Sequence, residues 1–129
     1  MSRPSSSQPT EVELQILRVL WEKGPSIVRD IHSQLNDAKG TNYSTTVKML
    51  AVMLDKGLIK RDNDARPHVY SPVLTRAKAG KRMVSALIEK VYAGSAASLA
   101  LQALAGAKAT KEELSEIRQM LDQMEGKSP

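Results

Sequence analysis

The chain of 129 residues contains no cysteine and no phenylalanine, and its aromatic share is 3%, from one Trp and three Tyr. Without cysteine there are no disulfides and no thiolate metal sites, which suits a reducing compartment. No run approaches the roughly 18 apolar residues of a membrane span. The opening "MSRPSSSQPT" has no apolar stretch of the signal-peptide kind and reads as a disordered polar arm over residues 1–9. A cytoplasmic protein with no membrane partner is the expectation. Catalysis finds little footing: there is no glycine-rich phosphate loop, no spaced set of metal ligands and no Ser/His/Asp grouping. The sequence therefore argues against an enzyme and calls for neither metal nor cofactor.

What is present is a thin aliphatic core and an excess of positive charge. Residues of the apolar set make up 41%, and the core must come from Leu, Ile, Val, Met and Ala. A small helical chain of this kind often completes its core by self-association. The net charge of +5 suits a polyanionic partner without requiring one.

Along the chain, Thr10 is placed to cap a helix beginning at Glu11, with Glu13 in its first turn. Leu14, Leu17, Leu20 and Trp21 recur at spacings of three and four, Ile16 flanks them, and Gly24-Pro25 ends the helix. Ser26 is the expected cap of a second helix, whose apolar positions are Val28, Ile31 and Leu35. A turn, "NDAKG", separates it from a third helix. There Tyr43, Thr46, Met49, Leu50, Met53 and Leu54 share one arc, with Val47 at its edge. The opposite arc, Ser44, Thr45, Lys48, Ala51, Val52 and Asp55, is small and hydroxylated rather than densely charged, as though something lies against it. After Gly57, "LIKRD" and "HVYSP" read as two short strands around Asn63-Asp64-Ala65, and Lys60, Arg61 and Arg66 concentrate positive charge on that hairpin. Helices resume at Thr75. Met83, Val84, Leu87, Ile88 and Val91 form one stripe; a helix from Ser95 is apolar nearly all round, which predicts burial. Thr110 and Glu113 form a capping box ahead of Leu114, Ile117, Leu121 and Met124.

Helix, turn, helix, turn, helix and a basic hairpin is the order of a winged helix-turn-helix. The predicted fold is mostly α with a small two- or three-stranded β wing. In that arrangement the third helix fits the major groove while the hairpin sets Lys and Arg along phosphates. The plainer alternative is a helical domain with a solvated basic hairpin, and winged helices also serve as protein-interaction adaptors. Of the single residues, Trp21 reads as a core anchor, His32 as an exposed helix residue, and His68 as an added phosphate contact.

The segments "TEVELQILRVLWEKGPSIVRDIHSQL", "YSTTVKMLAVMLDKGLIKRD" and "RPHVYSP" together resemble the penicillinase-repressor family (BlaI/MecI type), bacterial winged-helix repressors that bind operator DNA as homodimers. The likeness covers about Thr10 to Pro72 and includes the "LWEKGP" turn, the "KGL" after the third helix and the "VYSP" strand end; beyond Val73 the helical layout and Gly94-Ser95 match. It implies a DNA-binding domain over 10–72 and a helical dimerisation segment over 73–126. Double-stranded operator DNA and a second copy of the chain are the implied partners. Ser44, Thr45, Lys48, Ala51 and Val52 would then face the groove. Arg29, Lys60, Arg61 and Arg66 would contact phosphates, with Thr41 and Asn42 near the start of the recognition helix. Val84, Leu87, Ile88, Val91, Leu99, Leu101, Leu104, Leu114, Ile117 and Leu121 would supply the dimer contacts.

The chain also departs from the pattern. Family members often carry Arg or Thr where Val47, Ala51 and Val52 stand, which shifts base reading toward thymine-methyl contacts. Antibiotic-responsive members are cut at an Asn-Phe bond by a membrane metalloprotease sensor, and this chain has no Phe. Paired tail cysteines of copper-responsive members are missing too. Release by a protease at another sequence, or by a different sensor, stays open, as do an activator and a small-molecule-sensing regulator.

Overall fold

The computed structural model describes residues 8–35 and 42–127, so Thr41 and most of the expected 1–9 arm lie outside the described residues. The element order is α1 (Glu11–Lys23), α2 (Val28–Leu35), α3 (Tyr43–Lys56), β1 (Ile59–Asp62), β2 (Val69–Pro72), α4 (Arg76–Val91), α5 (Ala96–Leu104) and α6 (Lys111–Met124). The chain divides into two compact units, residues 1–86 and 87–129, with the division inside α4. Mostly helical with a small antiparallel sheet, it has the architecture of a winged helix-turn-helix followed by helices. No single helix among the described residues is long and apolar enough to cross a membrane.

The first unit is built around Ile16, Leu17 and Leu20 of α1, Ile31 of α2, Leu50 and Met53 of α3, and Ile59 and Tyr70 of the hairpin, all buried in one cluster. Most of these lie on the stripes that periodicity predicts, with Leu14, Trp21, Val28, Leu35, Met49 and Leu54 partly buried against them; Ile16, expected only to flank the α1 stripe, is fully buried. Strands β1 and β2 pair in register Ile59↔Pro72 through Asp62↔Val69. An isolated bridge from Ser26 to Tyr70 adds a minimal third strand. That bridge corrects one expectation. The Ser26 amide and carbonyl are committed to Tyr70 at 3.0 and 2.8 Å, and its hydroxyl donates to the Gly24 carbonyl at 2.8 Å. Ser26 therefore ties α2 to the wing rather than capping the helix.

Three long-range contacts fix the helices. The Trp21 indole donates to the Leu74 carbonyl at 2.9 Å, so this half-buried ring anchors the connection out of the wing. Glu13 Oε1 accepts from the Thr10 amide at 2.9 Å, closing a capping box, and the same oxygen meets Lys56 Nζ at 2.7 Å. Thr46 is 0% exposed in the middle of α3. A hydroxyl so placed needs a partner, and His32 Nδ1 lies 2.8 Å from it. His32 is thus half-buried between α2 and α3, which corrects its reading as an exposed residue.

The second unit is different in kind. No residue of α5 or α6 is buried. Caps define the helices locally: Ser95 Oγ accepts from the Ser98 amide at 3.0 Å, and Thr110 and Glu113 form the expected reciprocal box. The burial predicted for α5 from its apolar circumference is not met within the protomer. Leu101 is 74% exposed and Met124 78%. A unit of a few dozen residues cannot enclose helices that are apolar on several sides.

Candidate nucleic-acid interface

α3 is the element around which the site is built. Asn42 is its N-cap, and Gly57 ends it in a left-handed conformation at φ 79°, with its amide hydrogen-bonded back into the last turn. Thr46, Leu50 and Met53 pin one face into the core. Ser44, Thr45, Lys48, Ala51, Val52 and Asp55 are all exposed on the other. The 14 residues of α3 span roughly 21 Å at the usual rise per residue. A helix of that length with small outward side chains fits a groove about 12 Å wide.

Two further side chains join this face. Tyr43 is 51% exposed and Val47 41% exposed, whereas periodicity put Tyr43 in the inward arc and Val47 at its edge. Tyr43 sits at the first turn, before α3 is fully covered by α2, and its ring meets His32 edge-on at 5.4 Å between centroids. The signal was available in Thr46. A polar residue amid an apolar arc needs a partner, and His32, one position from Ile31, lies at the edge of the α2 stripe.

The hairpin supplies the cations. Lys60, Arg61 and Arg66 are exposed, and His68, expected to begin the return strand, is half-buried immediately before it. The turn is held by its own polar groups: the Asp64 amide donates to Asp62 Oδ1 at 3.0 Å, and Arg61 Nε to Asn63 Oδ1 at 2.5 Å. Arg66 Nη1 donates to the carbonyls of Asn63 and Ala65, the latter at 3.0 Å. Both guanidiniums are thereby positioned by the turn, and each has five N–H donors, so several stay available to a phosphate. Arg29 is exposed in the first turn of α2.

Behind this surface lies the Glu13–Lys56 pair, with the Glu13 side chain 8% and the Lys56 side chain 20% exposed. Burial alone would raise the Glu13 carboxyl. The hydrogen bonds from Lys56 and Thr10, with the attraction of the ammonium, outweigh it and hold the group below its ordinary 4.5. The pair clamps the start of α1 to the end of α3. Among the described residues no cluster of three or more His, Cys, Asp or Glu could hold a metal ion.

An exposed, pinned third helix beside a basic hairpin defines a winged helix-turn-helix of the DNA-binding class. The family model for the penicillinase repressor matches residues 9–123, and the chain belongs to that family, whose members are transcriptional repressors and not enzymes. It is 22% identical over 116 residues to a penicillinase repressor of Bacillus licheniformis, covering 90% of this chain and 91% of that one. It is 30% identical over 87 residues to the transcriptional regulator BlaI of Mycobacterium tuberculosis, covering 66% of this chain and 63% of that protein.

Proposed function

We propose that this chain is a sequence-specific DNA-binding repressor that acts as a homodimer on a palindromic operator. The observation that carries the reading is the outward face of α3, where Ser44, Thr45, Lys48, Ala51 and Val52 stand exposed while Thr46, Leu50 and Met53 lock the helix from behind. Ser44, Thr45 and Lys48 offer hydrogen bonds to base edges or phosphates, and Ala51 and Val52 offer methyl contacts to thymine. Lys60, Arg61, Arg66 and His68 of the wing, with Arg29 of α2 and Asn42 at the cap, hold phosphates and set the register; Thr41 belongs to the same group by sequence position.

The exposed apolar side chains of the C-terminal helices support the second half of the reading. Val84, Leu87 and Val91 of α4, Leu101 and Leu104 of α5, and Leu114 and Leu121 of α6 are open to solvent; Ile88, Leu99 and Ile117 are half-buried beside them. A second copy of the chain would cover them, giving a DNA-binding domain over 10–72 and a self-associating segment over 73–126. Two recognition helices would then meet half-sites about 34–36 Å apart or a multiple of that. Such a repressor works in the cytoplasm by occupying promoter DNA. Its release runs through a protease acting elsewhere than at an Asn-Phe bond, or through another sensor.

Fluorescence anisotropy with duplex from upstream of the gene, against scrambled duplex at several salt concentrations, tests the reading. Affinity should fall linearly in log salt, with a slope of about −0.9 per neutralised phosphate. The native duplex should bind at least ~10³-fold more tightly. Equal, weak binding to both would refute base reading and favour a protein-interaction adaptor.

A further inference from the structure

Against the foot of α3 lies a cavity of about 150 Å³ within the first unit. Leu17 and Trp21 of α1 form one wall, and Leu58, just past α3, forms the second. Ala79 and Met83 of α4 also line it. Gln8 and Pro9 complete a lining that is mainly apolar with some polar surface, and a cavity of about this volume has room for one six-membered ring. Two cations also reach it, Lys56 and Arg82. The Lys56 charge is already matched by Glu13 at 2.7 Å. Arg82 takes part in none of the ion pairs or side-chain hydrogen bonds among the described residues. The cavity therefore combines room for one apolar ring with a single unmatched guanidinium.

The complementary ligand is a monoanion with a one-ring body, since a guanidinium and a carboxylate meet through two parallel hydrogen bonds. We propose that this cavity is an effector site for a small aromatic monocarboxylate, and that its occupation weakens DNA binding. The coupling rests on the DNA-binding reading above; the site itself does not. Leu58 is the coupling residue. Its amide donates to the Met53 carbonyl at 3.0 Å, holding the end of α3, and its carbonyl accepts from the Val73 amide at 3.0 Å, holding the base of the wing. A ring seated against Leu58 thus contacts the residue that joins the end of the recognition helix to the base of the wing.

The test uses the full chain with benzoate as probe. Trp21 is the single tryptophan and lines the cavity, so its fluorescence reports occupancy, and calorimetry supplies the stoichiometry. Saturable binding of one benzoate per chain is expected. Arg82→Gln changes an exposed side chain and should weaken benzoate about tenfold or more through loss of the charge-assisted pair, while leaving uncharged benzyl alcohol unaffected. Ala79→Leu should block both ligands by filling the cavity. No saturable signal, or equal benzoate binding by wild type and Arg82→Gln, overturns the site. Operator anisotropy is then measured with and without benzoate. Lower DNA affinity in the wild type, with no change in Arg82→Gln, supports the coupling; benzoate binding that leaves DNA affinity unchanged refutes it. A protein that binds benzoate but no DNA in any condition upholds the site and defeats the repressor reading instead.

Discussion

Lys56→Met removes the ammonium that faces Glu13 while keeping most of the methylene stem that packs along α1. In the wild type, Glu13 Oε1 accepts from both the Thr10 amide and Lys56 Nζ. The variant keeps only the first of these, at a carboxylate whose side chain is 8% exposed. Removing one partner of a fully buried pair typically costs about 3–5 kcal/mol. Here the lysine head is at the protein edge, with 20% of its side chain exposed, so the expected loss is the lower figure of about 2–3 kcal/mol. Urea unfolding at one fixed protein concentration should show a midpoint lower by roughly 1–2 M with an unchanged slope. Glu13→Gln, which keeps an acceptor for the Thr10 amide, should cost about 1 kcal/mol.

The pH dependence separates this mechanism from simple loss of packing. The Glu13 carboxyl is lowered in the folded state, so its contribution is fully present above the ordinary 4.5 and is lost as pH falls through the folded value. In Lys56→Met the lowering by the ammonium is gone and only the Thr10 hydrogen bonds oppose burial, so the carboxyl rises relative to wild type and acidification neutralises it at less cost. The gap between wild type and variant should be widest near neutrality and shrink as pH falls below 4.5. A gap that stays constant across that range, or one under about 0.5 kcal/mol at neutral pH, would be ordinary surface behaviour and would refute the clamp.

Lys48→Glu places a negative charge at the centre of the outward face of α3; operator affinity should fall by at least about 30-fold, read by anisotropy, with urea stability unchanged. Arg66→Gln should weaken native and scrambled duplexes alike and reduce the magnitude of the log-salt slope by about 1. Leu101→Asp alters a side chain that is 74% exposed and should leave protomer helicity intact. It should also weaken self-association by at least about tenfold, as expected of a contact worth more than about 1 kcal/mol, measured by light scattering across a concentration series. Trp21→Phe removes the donor to the Leu74 carbonyl and should cost about 1 kcal/mol in urea unfolding.

The legible parts of this molecule are those whose cause is local. Leu17 and Leu20 of the α1 stripe and Leu50 and Met53 of the α3 arc are buried as their spacing requires, while Leu14 and Trp21 are half-buried and the flanking Ile16 is fully buried; Gly57 ends α3 with a positive φ, and the hairpin forms around the turn that its residues mark. The exposure of Ser44, Thr45, Lys48, Ala51, Val52 and Asp55 on α3 follows from the same period. What local pattern does not contain is the identity of distant partners. Ser26 looks like a helix cap until Tyr70 claims its backbone, and His32 looks solvated until Thr46 needs a hydrogen-bond partner. Tyr43 satisfies the inward period, yet it sits one turn too early for the core to cover it.

The two capping boxes make the same point within one motif. Thr10–Glu13 and Thr110–Glu113 have the same residues at the same spacing and form the same reciprocal bonds. Glu13 is buried and is claimed by a lysine 43 residues away; Glu113 is exposed and has no ion-pair partner among the described residues. The motif fixes where a helix begins, and the surroundings decide whether its carboxylate is also a tertiary anchor. The same logic bears on α5, where a sequence apolar nearly all round predicts burial and the protomer provides none. Periodicity measures how much apolar surface a helix must hide but is silent about which chain hides it. That is why the exposure of the C-terminal helices supports the proposed second copy more strongly than their sequence does.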